Sequence, residues 1–442
     1  MSLHFRACIV VAAFALHVCS SVVSNAATPD RPNILLILSD DQGMNDVGCY
    51  GSEIPTPNLD SLAAEGLRMT QCYAASSICT PSRFGLLTGQ FAHRSSDRLT
   101  GALMFLEPGD ASRGIRAGEK TYVEMLRRNG YATHLVGKWH LGHGENQFWP
   151  TEHGFDTFFG HTGGCVDFFT CRYGNKPDWY RGHELVETTE YATDVIASEA
   201  VQVIKNSSES QPWYLHLAFN APHFGKGYDK AKDAPVNLMQ PKPSDLEKVD
   251  FIDDPLRRSF AAKVVGMDQS IGMVLAALKE AKQESNTLVI FMTDHGGAPE
   301  YGGSNTPFRG GKATLYEGGI RVPCIVRWPG VAQPGQVSNE IVTMLDWFPT
   351  FLEILNDESD EKLDGQSVIA QLGSKDDASK HVHRPVVWVT GAHDALGRKS
   401  WKAVRSGKWK LVESPSRDPE LFDVVHDPNE QLNLVDEEPA EV

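Results

Sequence analysis

The sequence has 442 residues, of which 41% are apolar and 22% are charged. These proportions exclude a disordered, collagen-like or coiled-coil chain and favour a globular protein with one large domain and a smaller one. The 41 Lys and Arg residues against 57 Asp and Glu give a formal charge of -16, so we expect no nucleic-acid partner. A small anionic substrate stays compatible with this charge, because cations in a cleft act locally, over a Debye length of about 8 Å.

The N-terminal segment 1–26 has the layout of a secretory signal. Arg6 precedes the apolar run 7–16, and small residues up to Ala26 offer a cleavage site before Ala27. A membrane anchor needs about 18 apolar residues, and neither this run nor any later one is that long. We therefore expect an exported protein, in a periplasmic, extracellular or lysosome-like compartment, with no stable membrane span.

Six cysteines remain once such a signal is removed. They are Cys49, Cys72, Cys79, Cys165, Cys171 and Cys324. Cysteines of an exported chain are typical disulfide partners, and Cys165 and Cys171 are close enough in sequence to close a small loop. If Cys79 has a chemical role, five are left and at least one of them stays unpaired.

Four apolar runs in the sequence end in polar residues that are capable of chemistry. The runs span residues 33–38, 131–136, 213–219 and 287–292. The polar residues that follow them are Asp40 and Asp41, Lys138 and His140, His223, and Asp294 and His295. Continuous apolar runs of this length are typical of strands buried on both faces of a parallel sheet, and open α/β sheets bind ligands beyond the carboxyl ends of their strands. The sequence therefore predicts an α/β fold with one shared cleft.

Two stretches carry apolar residues at helical spacing. The longer stripe runs from Phe260 to Leu278 with a period of 3.6 residues and predicts one long core helix. The shorter stripe contains Leu59 and Leu62, and we expect Gly66 to end that helix in a left-handed cap.

The segment 356–383 is charged and rich in turn residues, which indicates a boundary. We therefore predict a large α/β domain at 27–370 and a small C-terminal α+β subdomain at 371–442. Three short strand-like runs lie in the subdomain, at 386–390, 401–405 and 408–412. They predict a small antiparallel sheet. The end of the chain, 427–442, contains six acidic residues and no basic one, which predicts a solvated tail.

The most specific segment is Cys79-Thr80-Pro81-Ser82-Arg83, which is followed by Leu87-Thr88-Gly89. The fixed φ of Pro81 suits a first helical turn, so Cys79 is expected at a helix N-terminus, where free N–H groups attract an anion. A structural or disulfide cysteine beside a helix cap is the alternative. The spacing from Cys79 to Arg83 is shorter than in the phosphate loop of thiolate phosphatases.

With this segment the chain resembles the formylglycine-dependent sulfatase family. Cys-x-Pro-Ser-Arg followed by Leu-Thr-Gly is that family's maturation signature, in which the cysteine is oxidised enzymatically to Cα-formylglycine. The other segments that match, in the family's order, are Asp40-Asp41, Gly137-Lys138-Trp139-His140, Pro222-His223, Asp294-His295-Gly296, Gly310-Gly311-Lys312 and Glu317-Gly318-Gly319. The resemblance implies an alkaline-phosphatase-like α/β fold, with a large, mostly parallel sheet flanked by helices and a small C-terminal domain that contains an antiparallel sheet. It also implies one calcium ion and hydrolysis of a sulfate ester.

The resemblance assigns the metal to Asp40, Asp41, the modified Cys79, Asp294 and His295. Acidic oxygen ligands suit a hard cation such as calcium, and the shortage of clustered histidines argues against the two-zinc site of phosphatases. The position after Asp294 is often Asn in relatives, whereas this chain has His295 there, and an imidazole is a less natural calcium ligand.

The same resemblance assigns catalytic roles to six side chains. They are Cys79 as the nucleophile, Arg83 and Lys138 to orient the diol and hold the sulfate, His140 to take the second proton of the diol, and His223 and Lys312 to assist the departing oxygen. A formylglycine-generating enzyme is implied as a partner during maturation. Taken singly, each lysine also fits an ordinary surface position and each histidine fits a buried structural one.

We expect a sulfated carbohydrate substrate, with galactosamine or glucosamine sulfates as the favoured class. The alternatives are a phosphonate or phosphate ester hydrolase with the same nucleophile, and a non-catalytic binder of sulfated glycans if Cys79 is never oxidised. Side chains outside the motifs that have the right chemistry for a sugar subsite are His161, Asp167, Tyr228, His393 and Arg398. Such residues are more often simply exposed.

Overall fold

The computed structural model of the chain describes residues 31–358, 362–373, 384–391 and 399–438. The predicted signal at 1–26 lies outside the described residues, and so do His393 and Arg398.

The strands and helices of the described residues are given in chain order. The strands are β1 (Asn33–Asp40), β2 (Leu67–Tyr73), β3 (Ala132–Lys138), β4 (Thr157–His161), β5 (Arg172–Tyr173), β6 (Lys176–Pro177), β7 (Tyr180–Arg181), β8 (Glu184–Leu185), β9 (Trp213–Pro222), β10 (Gly225–Asp229), β11 (Ala234–Leu238), β12 (Thr287–Thr293), β13 (Arg321–Arg327), β14 (Gln336–Ser338), β15 (Val342–Thr343), β16 (Val386–Val389), β17 (Lys402–Ser406), β18 (Trp409–Glu413) and β19 (Glu420–Asp423). The helices are α1 (Pro57–Ala64), α2 (Cys79–Thr88), α3 (Tyr122–Arg128), α4 (Ala192–Asn206), α5 (Pro243–Leu246), α6 (Pro255–Glu280), α7 (Glu317–Ile320), α8 (Trp347–Leu355) and α9 (Ile369–Gly373).

The large sheet has the order β14-β2-β13-β12-β1-β9-β3-β4-β7-β8, with β15 also paired to β2. Its centre, from β12 to β4, is parallel throughout. Every residue of β1, β9 and β12 is buried. The predicted α/β class is therefore confirmed. All four predicted strands form, and three are buried throughout, whereas Ala132 and His134 of β3 are half-buried.

The two faces of the sheet bury different side chains of the same strand. In β1, Leu36 and Leu38 point into a core shared with α2, α3 and α8, whereas Leu35 and Ile37 point into a core shared with α1, α4 and α6. Both layers are needed because a parallel strand is apolar on both faces. The sheet is thus fixed between two helical layers, and its strand ends are held in one plane.

Helix α6 forms where the long apolar stripe predicted it. It is the one helix within the described ranges that is long and apolar enough to cross a membrane, and 72% of its most apolar stretch is buried inside the fold. Its residues Met267, Ile271 and Val274 pack against the sheet. The apolar composition of α6 therefore follows from its place in the core.

Two expectations are wrong, one about the cap at Gly66 and one about disulfides among the cysteines. Gly66 is not a left-handed cap, because its φ is not positive. Helix α1 ends at Ala64, and its C-cap Glu65 is right-handed. A Cβ on Gly66 would lie 2.3 Å from the carbonyl oxygen of Val326, so close approach of strand β13 requires the glycine. The expected disulfides are also absent from the described residues, because all six cysteines outside the signal are free, including Cys165 and Cys171.

The C-terminal sheet has the order β16-β17-β18-β19 and is antiparallel, as predicted. The segment after it is not simply a solvated tail. Glu430 is fully buried, and its Oε1 atom lies 2.9 Å from the ammonium group of Lys410. A buried cation within the sheet therefore draws part of the acidic segment into the fold.

Candidate active site

The polar residues at the ends of the central strands meet at one edge of the sheet. Asp40 ends β1, Lys138 ends β3, and Asp294 follows β12. Their side chains are joined by Arg83 from helix α2, whose guanidinium lies 3.1 Å from Oδ2 of Asp294 and 3.6 Å from Oδ1 of Asp40. The cleft predicted from the strand ends is the place where these groups lie.

Helix α2 begins at Cys79, as the proline two residues later predicted. It ends at Gly89, which has φ 64° and donates its backbone N–H to the carbonyl of Gly85. The Leu-Thr-Gly part of the motif thus stops the helix, since a left-handed residue is most easily a glycine. The two ends of the motif fix the helix that carries Cys79 and Arg83.

The thiol of Cys79 is surrounded by charged groups. Its Sγ atom lies 3.1 Å from Nε2 of His295, 3.7 Å from Oδ1 of Asp40 and 3.8 Å from Nζ of Lys312. Burial raises the pKa of Cys79, but the nearby ammonium groups of Lys138 and Lys312 outweigh burial and lower it to about 7. Side chains from three separate segments of the chain therefore converge on this one atom.

Asp41 lies in the same cluster and shares partners with the thiol. Its carboxylate is 2.7 Å from Nζ of Lys312 through both oxygens, 3.2 Å from Nε2 of His295 and 3.5 Å from Nε2 of His223. The residue has φ 63°, a left-handed conformation that is uncommon outside glycine and turns the chain away from the strand. Asp40 and Asp41, although consecutive, therefore face different partners.

The pKa values of two carboxyl groups in the cluster, Asp40 and Asp294, are shifted in opposite directions. Burial would raise the pKa of Asp40, but Lys138, His223 and Arg83 hold it well below its ordinary value. Burial raises the pKa of Asp294 to about 7, since its cationic neighbours compensate less and Asp40 repels it. Asp40 is thus held as a carboxylate, whereas the charged form of Asp294 is less well stabilised.

The donor set fits a divalent cation. One atom each from Asp40, Cys79, Asp294 and His295 lie within 4.8 Å of one another, all buried. The Nδ1 atom of His295 bonds the carbonyl of Gly296 at 2.9 Å, which makes Nδ1 the protonated nitrogen and leaves the lone pair of Nε2 facing the carboxylates.

Burial would lower the pKa of His295, but Asp294, Cys79 and Asp41 raise it to about 9. A proton on His295 and a bound cation are therefore two ways to compensate the same negative charge. The imidazole is compatible with a ligand role once its proton is displaced.

His140 is buried beside this cluster and lines the cavity that opens over Cys79. Its Nε2 atom lies 2.9 Å from the carbonyl of Leu103, and its Nδ1 atom has no hydrogen-bond partner among the described residues. Burial and the charge of Lys138 lower the pKa of His140 well below its ordinary value. His140 is therefore neutral, with a free lone pair on Nδ1.

The residues predicted from the motifs all lie in this cluster or against it. Lys312 comes from a loop held by Asn305, whose side-chain amide bonds both backbone groups of Gly297. Lys312 itself donates its backbone N–H to the same Gly297 carbonyl. The Gly-Gly-Lys segment is thus a loop that carries its lysine to Asp41.

Sequence reasoning missed the outer wall of the cavity. This cavity has a volume of about 260 Å³ and contains Cys79, His140, His223 and Lys312 at its inner end. The outer lining residues that no motif indicated are Phe105, Tyr173, Phe224, Lys226, Asn237 and Tyr301. His161, Asp167 and Tyr228, considered for a sugar subsite, are not among the residues that line this cavity.

This arrangement defines a class of α/β protein that receives an anion at the carboxyl edge of a parallel sheet, between a helix N-terminus and several cations. The chain belongs to the sulfatase family. The sulfatase family profile matches residues 32–357, and the profile of the N-sulphoglucosamine sulphohydrolase C-terminal region matches residues 310–442. The protein is accordingly a sulfuric ester hydrolase.

Several known proteins are similar over most of this chain. N-acetylgalactosamine-6-sulfatase of Homo sapiens is 33% identical, over 92% of this chain and 82% of its own. Arylsulfatase J of Mus musculus is 34% identical, over 78% of this chain and 56% of its own. The crystal structure of Ps i-CgsB in complex with k-i-k-neocarrahexaose superimposes with a TM-score of 0.81 at 30% identity, covering 93% of this chain and 90% of that one.

Proposed function

We propose that this sulfatase removes sulfate groups from sulfated carbohydrates, with Cys79 converted to Cα-formylglycine and a calcium ion bound beside it. The observation that carries the proposal is the position of Cys79. Its Sγ atom lies within 3.8 Å of an imidazole, a carboxylate and an ammonium group at the start of a helix. A structural cysteine has no need of such surroundings, whereas a nucleophile that attacks an anion does.

The hydrated aldehyde would supply two hydroxyl groups on one carbon, one to attack sulfur and the other to expel sulfate as the carbonyl re-forms. Calcium held by Asp40, Asp41, Asp294 and His295 would supply positive charge next to residue 79. Three carboxylates from two strand ends, with a raised pKa on one of them, support this ligand set.

The lysines bind and orient the sulfate. Lys138 and Lys312 both carry full positive charge, because neighbouring carboxylates outweigh burial and raise the pKa of each ammonium group. Each fixed cation that faces developing negative charge contributes roughly 3 kcal/mol, by analogy with one oxyanion-hole donor. The charge of these lysines is set before substrate arrives, so no reorganisation is needed during the reaction.

The two histidines have different roles. The free lone pair on Nδ1 of His140 accepts the proton of the second hydroxyl group. Burial lowers the pKa of His223 to about 3, so its imidazole is neutral before substrate binds. Its Nε2 atom lies 3.5 Å from Asp41, whose carboxylate pairs with Lys312, and His223 and Lys312 together assist the departing oxygen.

The carbohydrate part of the proposal is supported by the relatives. The relative N-acetylgalactosamine-6-sulfatase is named after a sulfated amino sugar, and Ps i-CgsB was crystallised with an oligosaccharide. We further propose export of the protein and its maturation by a formylglycine-generating enzyme, as the segment 1–26 and the Cys79 motif indicate.

Expression with and without a formylglycine-generating enzyme tests the proposal. Peptide mass analysis identifies the aldehyde or the thiol at residue 79, and turnover is measured on a panel of sulfated monosaccharides and disaccharides and on matched phosphate esters. The expected result is sulfate release by the aldehyde form alone, with Cys79→Ala inactive. Faster turnover of the phosphate esters would favour a phosphate or phosphonate hydrolase instead, and an unmodified thiol in protein from its native host would indicate a glycan binder.

A further inference from the structure

The outer wall of the active-site cavity contains a continuous row of side chains that begins at His223. The ring of Phe224 packs against that of His223 with centroids 4.0 Å apart, and Tyr301 packs against Phe224 at 4.4 Å, both pairs being tilted by about 40°. The hydroxyl group of Tyr301 accepts a hydrogen bond of 2.7 Å from Asn237. Asn237 in turn bonds Lys226. The row leads from the buried reaction centre to the half-buried Lys226.

Lys226 and Asn237 are directly paired residues of the β10–β11 hairpin. The ammonium group of Lys226 lies 2.7 Å from Oδ1 of Asn237, and 5.6 Å and 5.9 Å from the ring centroids of Tyr173 and Phe224. Aromatic faces on two sides keep the ammonium group near the cavity and shield it in part from water. Its remaining N–H groups are available to a ligand in the cavity.

The charge of Lys226 distinguishes it from the other lysine of this cavity. Lys312 is paired with Asp41 at 2.7 Å. Lys226, by contrast, makes no salt bridge with any residue in the described part of the chain, although the exposed Glu300 also lines the cavity. An unneutralised cation in a cavity that receives sulfate esters is suited to a second anionic group.

The size of the cavity limits where that group lies. Its volume of about 260 Å³ is at the small end of ligand sites, which usually hold about 300 to 1,000 Å³. One sulfated sugar occupies the inner part, next to Cys79, and Lys226 then reaches a substituent on that sugar or on its neighbour. The adjacent rings of Phe224 and Tyr301 offer an apolar surface on which a sugar ring packs.

We propose that Lys226, held by Asn237, binds a second anionic group of the substrate, a sulfate ester or a carboxylate, and makes the enzyme selective for carbohydrates with more than one negative charge. This inference rests on the proposed function, because it assumes that sulfate is released at Cys79. Lys226 is a specificity residue for substrate binding, and it takes no part in bond making or breaking.

The experiment compares four probes on the mature enzyme. They are 4-nitrophenyl sulfate, N-acetylgalactosamine 6-sulfate, N-acetylgalactosamine 4,6-disulfate, and the 6-sulfated disaccharide that carries a glucuronate. The variants are Lys226→Met and Lys226→Arg, with Lys232→Met as the matched control. Lys232 lies on the same hairpin, is exposed, and pairs with Asp229 away from the cavity.

The expected result is a loss confined to probes with a second anion. A charge-assisted hydrogen bond is worth about 10- to 100-fold in binding, so Lys226→Met should raise KM by that factor for the disulfate or the glucuronate probe. Turnover of 4-nitrophenyl sulfate and the monosulfate should be unchanged, which also shows that the variant is folded. Lys226→Arg should recover most of the loss, and the two dianionic probes separate sulfate from carboxylate recognition.

Two outcomes overturn the inference and are distinguishable. If the wild type releases sulfate and Lys226→Met affects all four probes equally, or none, the inference is wrong while the proposed function stands. If the wild type with an aldehyde at residue 79 releases sulfate from none of the probes, the proposed function fails, and this inference fails with it.

Discussion

The ammonium group of Lys138 lies 2.7 Å from Oδ2 of Asp40, and both side chains are fully buried. The two residues end strands β3 and β1, which are separated in the sheet by β9. Burial of an ion pair costs desolvation energy, and the attraction between the two charges offsets that cost only when their geometry is good. The contact therefore depends on the order of the strands, and it holds the charge of the reaction centre in place.

Removal of Lys138 should destabilise the fold. In Lys138→Met the buried carboxylate of Asp40 keeps Arg83 at 3.6 Å as a weaker partner. We expect the free energy of unfolding to fall by about 3 kcal/mol, the cost of leaving one member of a buried pair. Chemical denaturation in the presence of a chelator measures it, so that no metal compensates the loss.

The matched control for this variant is Lys402→Met. Lys402 is paired with Glu413 at 3.0 Å, but the two side chains are 66% and 48% exposed. A surface pair is worth roughly 0 to 1 kcal/mol, so this variant should unfold nearly as the wild type does. Equal stability of Lys138→Met and the wild type would show that Asp40 is not charged in the fold.

Calcium should stabilise the protein through the carboxylate cluster. A ligand at 100 times its Kd adds about 2.7 kcal/mol to the free energy of unfolding, so thermal unfolding should move to higher temperature when calcium is added to chelator-treated protein. Asp294→Asn should lose this calcium-dependent shift, because its carboxylate lies in the ligand cluster. The exposed Asp253→Asn should retain it. An equal shift in both variants would contradict the ligand assignment.

The central strands and the polar residues at their ends were predictable from local patterns, whereas the metal and catalytic roles came from the resemblance to the sulfatase family. Runs such as Thr287 to Met292 are apolar on both faces, and a strand end followed by Asp294 and His295 is a short-range signal. The motif at Cys79 also predicted where helix α2 begins. These features need no knowledge of what lies opposite them in space.

Other features depend on partners distant in sequence and were missed. Gly66 is required by the carbonyl of Val326, and Glu430 is buried because Lys410 lies behind it. Strands β2 and β14 lie at the far edge of the sheet through pairing with β13 and with each other. Lys226 is a specificity candidate only because the hairpin folds over the cavity. No local pattern contains this information.

The C-terminal sheet should support the loop that carries Lys312. Lys410, in β18, is fully buried and pairs with Glu317 at 2.8 Å and Glu430 at 2.9 Å. Glu420, in β19, accepts hydrogen bonds from Arg309, which lies in the Lys312 loop. The sheet thus contacts the loop directly through Arg309 and Glu420, and through Lys410 it holds Glu317, the first residue of the helix that follows the loop.

Lys410→Met should therefore lower both stability and activity. Two buried carboxylates lose their shared cation, and we expect a loss of about 3 kcal/mol or more in the free energy of unfolding. Sulfate release should fall at temperatures well below the unfolding transition, because the Lys312 loop loses support. Lys408→Met, on the exposed side of the same sheet, is the control. Normal activity of folded Lys410→Met would show that the loop is held without the sheet.

The unoxidised form of the protein should have a reactive thiol at Cys79. Burial raises its pKa, but Lys138 and Lys312 lower it to about 7, below the value of about 8.5 for a free cysteine. The thiolate is the reactive species and forms above the pKa, so alkylation by iodoacetamide should reach half its maximum rate near pH 7. Cys165, in the same cavity, has a pKa raised to about 12, chiefly by burial, and should not react. In Lys312→Met the midpoint for Cys79 should move to higher pH, because one of the stabilising charges is lost; an unchanged midpoint would mean that Lys312 does not act on residue 79.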